Sequence, residues 1–500
     1  MVSDTVPDTV NISALFDYLS RRNSDTQPRL IETHISWVLI AGEFAYKIKK
    51  PVKFAFVNFL TLDRRKHFCE EEIRLNRRFA PEIYLGVVPI TFNATQQNWT
   101  IDPAVTPAPD EIVDWAVKMK AFDADATLDR AATIEPAQID AIADVIAQFH
   151  KNEAPIPADS PLGTAAEVAR IARENLAELV AMLPADPRVQ ALHQWTEEEI
   201  DRLSPLFVAR QQQGAIKEGH GDLHLGNIAM VNGRPLIFDR IEFSDTLRCI
   251  DVMSEIAFLF MDLCARNHRP MAWRLLNRWL EHTGDYAGVA TLLFYAAYRA
   301  LVRAKISLHQ KKSDDANRYL NLVVEFSTRA TPTLTLMHGF SGSGKTYVSQ
   351  QLLEAKGAIR LRSDVERKRL HSLAAQESSR SALNTALYQD QATQDTFQHL
   401  EQQASLLLLA GFSVIVDATF LRRSLREQFI AVARREKLRV TIVDVDVSPE
   451  TCRERIQRRQ QRSKDASEAT LNVLAYQLQS ADPLTPEELA ITKTVSEALG

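Results

Sequence analysis

The stretch GFSGSGKT at 339–346, with the strand-like TLTLMH before it and a helix-like run after it, constrains the fold more than any other part of the chain. The pattern G-x-x-x-x-G-K-[ST] works as a loop joining a parallel strand to a helix N-terminus. Its glycines let successive N–H groups turn inward around phosphate oxygens, its lysine reaches the outer phosphates, and its final hydroxyl faces magnesium. Gly339, Gly342, Ser343, Gly344, Lys345 and Thr346 are therefore expected to hold the phosphates of a nucleotide, with Thr346 also a metal ligand.

Around this loop, strand-like AIRLRS, FSVIVDA and LRVTIVDVDV alternate with helical segments, which predicts a parallel sheet wrapped by helices. In such sheets the working groups stand at the C-terminal ends of the strands. Asp417 closes FSVIVD and fits a magnesium-organising acid; Asp364 follows AIRLRS and fits a group that accepts a proton from, or positions, an acceptor hydroxyl. Helix capping is the alternative for each. STRATP at 327–332 marks the expected boundary, with residues 327–500 as one domain and 1–326 as another.

Five hundred residues exceed one core's usual reach, so more than one domain is expected in any case. A net charge of −5 argues against a chain whose main task is coating nucleic acid or an anionic membrane. Four scattered cysteines build no disulfide scaffold or zinc pair, and buried reduced thiols are expected. MVSDTVPDTV has no basic start followed by an apolar core, and the longest apolar runs are shorter than the ~20 residues a spanning helix needs. A cytoplasmic protein without a membrane partner is the resulting expectation.

The second chemical constellation is HGDLHLGN at 220–227. Asp222 and Asn227 enclose four residues, and Asp239 follows at the end of the apolar run PLIF. This is the order protein-kinase chemistry uses: an aspartate to take the acceptor's proton, then an asparagine and an aspartate to hold magnesium. Upstream, HISWVLIAGEFAYKIKK (34–50) reads as a hairpin about Gly42, and a helix rich in glutamate follows. Lys47 is the expected phosphate ligand, and Glu71 the expected partner of that lysine, with Glu72 the near alternative. His220 is expected to support the loop backbone. The acids Glu242, Asp245, Asp251, Glu255 and Asp262 suit surface and capping roles; were they to line a cleft, a cationic acceptor would suit them.

On HGDLHLGN, IFDRIEF, YKIKK and the glutamate-rich helix start, about the first 320 residues resemble the aminoglycoside phosphotransferase family of the protein-kinase-like fold, which includes choline kinases. The resemblance implies a small lobe to about residue 120, a helical lobe to 326, Asp222 as catalytic base, Asn227 and Asp239 as magnesium ligands, Lys47 on ATP phosphates, and adenine near VKMKAF. The hairpin lacks G-x-G-x-x-G, and DRI stands where protein kinases have D-F-G. The C-terminal part resembles P-loop kinases of the zeta-toxin and polynucleotide-kinase type, which implies that Arg455 and Arg459 of CRERIQRRQQR form a lid over ATP. The expectation is a two-domain chain of α+β and α/β parts, a tandem ATP- and magnesium-dependent phosphotransferase acting on a small-molecule hydroxyl. The alternatives are a single kinase with a nucleotide-sensing half, or a polynucleotide end-processing kinase.

Overall fold

The computed structural model describes residues 9–22, 27–54, 57–328, 330–371, 373, 390–462 and 469–500. Their contacts divide the chain into two compact units, one of residues 1–133, 153–167 and 211–255, the other of 134–152, 168–210 and 256–500.

In the first unit, β-branched and aromatic runs form a six-stranded antiparallel sheet. The strands adjoin in the order Arg29–Glu32, Ser36–Ala41, Phe44–Lys49, Ile112–Lys120, Tyr84–Asn93 and Asn98–Ile101. The expected hairpin is present, with Gly42 and Glu43 forming the turn between Ala41 and Phe44. One sheet face buries Leu39, Tyr46, Ile48 and Ile90 against Leu15 and Leu19 of the helix Ile12–Arg22. The other receives the helix Leu62–Asn76 through Cys69 and Ile73. Two short antiparallel pairs then flank the HGDLHLGN loop: Ile216–Glu218 with Cys249–Asp251, and the hairpin of Ile228–Val231 with Arg234–Ile237.

The second unit contains a five-stranded, all-parallel sheet in the order Ile359–Arg362, Val414–Asp417, Thr333–His338, Arg439–Asp444, Thr492–Thr494. The phosphate-loop strand is thus central and buried, as its apolar run requires. The last strand, Thr492–Thr494, lies outside what alternation predicted. The edge strand Ile359–Arg362 is covered by the helix Arg269–Thr283 of the same unit. There Asn277 acts as a substitute strand, its Nδ2 donating to Ala358 O at 2.9 Å and its Oδ1 accepting from Arg360 N at 2.6 Å. Buried Glu281 pairs with Arg360 at 2.6 Å. An exposed edge would invite strand pairing, and this helix removes it. All four cysteines are free and buried. Among the described residues no helix is long and apolar enough to cross a membrane.

The expected mixed architecture is present: an antiparallel sheet with its helix and the HGDLHLGN loop, and a parallel sheet with a phosphate-type loop and flanking helices.

Candidate functional sites

Side chains alternate between the two faces of a strand, so Lys47 and Lys49 project from the same face of Phe44–Lys49. Both meet Glu72, which is fully buried: Lys47 Nζ donates to Oε1 and Lys49 Nζ to Oε2, each at 2.8 Å. The lysine's helix partner is therefore Glu72 and not Glu71. Glu72 shares the buried side of Leu62–Asn76 with Cys69, Ile73 and Asn76, whereas Glu71 turns outward and accepts from Arg74 at 2.8 Å. Burial works to raise the Glu72 carboxyl, but the ammonium groups of Lys47 and Lys49 outweigh it and hold the pKa at about 2. Lys47 also donates to Asp239 at 2.5 Å. Burial opposes its charge, yet Asp239 and Glu72 together raise its pKa well above the ordinary value.

Asp239 has φ 64°, a left-handed backbone uncommon for a residue with a side chain. The Tyr84 hydroxyl accepts its N–H at 3.1 Å, and this turn keeps its half-exposed carboxylate beside Lys47. The HGDLHLGN loop is tied to the same segment: Phe238 N donates to Asn227 O, and Ile241 N to His220 O, both at 3.1 Å. Asn227 Nδ2 donates to Asp222 O at 2.9 Å and lies 3.3 Å from its Oδ2. His224 Nε2 is 3.4 Å from the same carboxylate oxygen. His220 is fully buried; its Nδ1 accepts from Asp222 N at 3.3 Å, so its Nε2 carries the proton donated to Phe238 O at 2.8 Å. Burial lowers its pKa, in keeping with that neutral tautomer. His220 thus supports the backbone, as expected.

Three supports escaped sequence reading. Lys49 forms a second buried pair with Glu242, Arg240 gathers the carbonyls of Leu75, Glu218 and Gly219, and Glu255 accepts the His220 N–H at 2.7 Å. These contacts also correct the idea of an acid-lined cleft for a cationic acceptor. Glu242 is buried on Lys49, Asp245 pairs with Arg248, Asp251 accepts from Met253 N, and Asp262 pairs with Arg266. The one foreseeable sign was Lys49, two residues after Lys47 on one strand face.

In the second unit, the phosphate loop follows the central strand. Gly339 and Gly342 have φ 135° and 85°, and a Cβ on either would come within 2.8 Å of Val445 O or 2.7 Å of Cys452 O. Only glycine fits there without displacing backbone. Lys345, nearly buried, donates to Gly339 O at 2.9 Å and Phe340 O at 2.7 Å. Burial pushes its ammonium down to about 8, against the opposing pull of Asp417 and Asp364. Ser343 Oγ is buried and has no hydrogen-bond partner among the described residues, as suits a loop built around a ligand. Gly344 precedes the helix Lys345–Lys356, so Thr346 stands in its first turn.

A cavity of about 900 Å³ opens on this loop and is lined by Lys345, Thr346, Asp364, Asp417, Arg455 and Arg459, among others. Asp417 ends its strand and accepts from Ser349 Oγ at 3.2 Å. Asp364 sits in the first turn of Ser363–Leu370, 3.3 Å from Arg367. Arg455 Nη1 donates to Ser343 O at 2.6 Å, and Arg459 Nη2 to Ala469 O at 2.9 Å. The cavity thus brings together Gly342, Gly344, Lys345, Thr346, Asp364, Asp417, Arg455 and Arg459 of the residues expected from the sequence, while Gly339 and Ser343 belong to the loop but do not line it. It adds Arg362, Arg367 and Arg422, which line the same cavity and which no motif singled out.

Residues 334–484 match the AAA domain family. Over 398 residues the chain is 32% identical to the uncharacterized protein Rv2004c of Mycobacterium tuberculosis, covering 78% of each sequence. The chain belongs to the same family as that protein. Among solved structures, similarity extends to a GDP and kanamycin complex of an APH(2")-type protein, at 11% identity over 62% of this chain and 97% of that one, TM-score 0.38. It extends also to a gluconokinase of Sinorhizobium meliloti, at 18% identity over 34% of this chain and 89% of the other, TM-score 0.25. Shared coverage of 78% with the mycobacterial family member exceeds what either constellation alone occupies.

The donors available to a metal are oxygens: Asn227 and Asp239 in one site, Thr346 and Asp417 in the other. Among the described residues no group of three or more His, Cys, Asp or Glu could hold a metal by itself. Sparse oxygen donors fit magnesium, which takes one or two carboxylates and completes its shell with water and phosphate.

Proposed function

We propose that the chain is a tandem phosphotransferase of two modules, residues 1–326 and 327–500, each moving the γ-phosphate of ATP to a small-molecule hydroxyl. The observation that carries this reading is that each unit independently joins a largely buried lysine to oxygen donors and an aspartate suited to receive a proton. In the first site Lys47 is aimed at phosphates by Glu72, Asn227 and Asp239 hold the metal, and Asp222 accepts the acceptor's proton. In the second the glycine loop with Lys345 and Ser343 cradles phosphates, Thr346 and Asp417 hold the metal, Asp364 receives the proton, and Arg455 and Arg459 close the phosphate side. Magnesium, when bound, supplies neutralisation of phosphate charge. The rest is positioning by the chain, since phosphoryl transfer needs little covalent help. A cytoplasmic setting, with ATP at hand, belongs to the same proposal.

The test is a pair of full-length variants assayed for phosphate transfer to a metabolite extract. Asp222→Asn and Lys345→Ala are each expected to remove a different labelled product. Loss of the same products from both variants would contradict two separate sites.

A further inference from the structure

We infer that Glu281, on the helix Arg269–Thr283 that precedes the phosphate-loop module, is a positioning residue of the second site: through two arginines it holds Thr346 and Asp417 in place for magnesium. The inference rests on the phosphotransferase reading of that site and deepens it.

Register carries Glu281 to the site, within one compact unit. Asn277 is bonded to Ala358 O and Arg360 N of the edge strand, and Glu281 lies one helical turn further along the same buried face. Four helix residues advance ~6 Å and two strand residues ~6.6 Å, so a helix lying along the strand keeps step with it. The carboxylate thereby meets Arg360 and Arg362, which share one strand face. Arg360 Nη2 donates to Glu281 Oε1 at 2.6 Å, and Arg362 Nη1 to Oε2 at 3.3 Å. Burial works to raise the Glu281 carboxyl, but the guanidinium groups of Arg360 and Arg362 outweigh it and hold the pKa at about 2. The group is a fixed anion and not a proton carrier.

Each arginine continues to the metal pair. Arg360 Nη1 donates to Thr346 O and to Ser349 Oγ, both at 3.2 Å, and Ser349 Oγ lies 3.2 Å from Asp417 Oδ2. Arg362 Nε stands 3.8 Å from the same Asp417 oxygen, beyond hydrogen-bond distance. Thr346 and Asp417 come from different elements, the first turn of Lys345–Lys356 and the end of Val414–Asp417, and both trace back to Glu281. Glu281 also holds Arg362 off Asp417. With an uncharged side chain at 281, that guanidinium is drawn onto Asp417 and competes there with magnesium, which takes only one or two carboxylates from a protein. Groups that orient a metal's ligands matter nearly as much as the ligands. Residues 327–500 alone lack this carboxylate, so a segment of the preceding module completes the second site.

The experiment titrates magnesium into the full-length Lys47→Ala protein with a non-hydrolysable ATP analogue, so that the second site alone reports. The readings are the magnesium concentration at half-maximal binding, analogue affinity in EDTA, and the melting temperature. Glu281→Gln is expected to raise the magnesium requirement about tenfold, the low end of the loss for a group that supports a metal ligand, with affinity in EDTA unchanged. Ser349→Ala removes one hydroxyl and leaves the buried ion pairs; it should raise the requirement likewise, and it decides alone if Glu281→Gln unfolds the protein. Asn277→Ala cuts the helix's bonds to the strand edge and keeps the carboxylate. It should lower the melting temperature and leave the magnesium requirement where it was. An unchanged requirement in Ser349→Ala or in folded Glu281→Gln overturns the inference. So does a rise in Asn277→Ala equal to that in Glu281→Gln, which would reduce the helix to packing. Analogue binding that ignores magnesium before any of these changes overturns the phosphotransferase reading itself, and the inference with it.

Discussion

The two candidate sites hold their lysines in opposite ways. Lys345 rests on carbonyl oxygens of its own loop, Gly339 and Phe340, whereas Lys47 rests on carboxylates brought from a helix and a distant turn, Glu72 and Asp239. The first of these lysines is held within eight consecutive residues. The second is held by groups up to 192 positions away. A cation cradled by carbonyls in a buried loop loses part of its charge, while one flanked by carboxylates keeps it. The chain thus presents two solutions to one electrostatic problem, a backbone cradle and a side-chain network.

The largest expected effects come from breaking each solution at its centre. Asp222→Asn should lower the first activity about 10²–10⁴-fold, the usual contribution of a positioned acid or base, with the second activity retained. Lys345→Ala should lower the second about 10²–10³-fold and spare the first. Radiolabel transfer assays read both, and parallel losses in either variant would erase the contrast.

Next comes the network itself. Glu72→Ala removes the carboxylate that Lys47 and the buried Lys49 share, leaving each lysine a single acidic partner, and should destabilise the first unit by about 3–5 kcal/mol. Glu71→Ala removes a partly exposed ion pair with Arg74 and should cost about 0–1 kcal/mol. Denaturant melts compare them, and equal losses would mean that the helix, not the buried pair, sets the stability.

This pair of glutamates also marks how far the sequence could be read. The phosphate loop was legible because its glycines, lysine and threonine act within one turn and carry their geometry with them. Asp222, Asn227 and Asp239 were legible as an ordered set, and the structure brings Asp222 to Asn227 and Asp239 to Lys47. Glu71 against Glu72 was not, since adjacent helix positions differ by about 100° and only packing of Cys69 and Ile73 decides which one faces the sheet. Arg362, Arg367 and Arg422 stayed hidden for a related reason: a shared cavity is created by strand order, which no local spacing records. The strand Thr492–Thr494 is three residues long and polar, with no alternation to announce it.

The smallest effect is the most discriminating. Lys345 is held at about 8 by burial, below its unfolded value of ~10.4, so its charging cost is fully present below pH 8 and relieved as pH rises toward 10.4. A bound triphosphate needs the charged form. Affinity at the second site should therefore fall about tenfold between pH 7 and pH 9, with proton uptake on binding. Lys47, whose pKa stands well above the ordinary value, stays charged throughout, and the first site's affinity should be flat. Calorimetry of each single-site variant in buffers of different ionisation enthalpy separates the two; equal pH slopes would contradict the contrast.

The most direct measurement is the binding stoichiometry of a non-hydrolysable ATP analogue with magnesium, by equilibrium titration of the full-length protein. The two-site account expects two analogue molecules on the wild type, one on Lys47→Ala and one on Lys345→Ala. A single molecule on the wild type, or none on either variant, would contradict it.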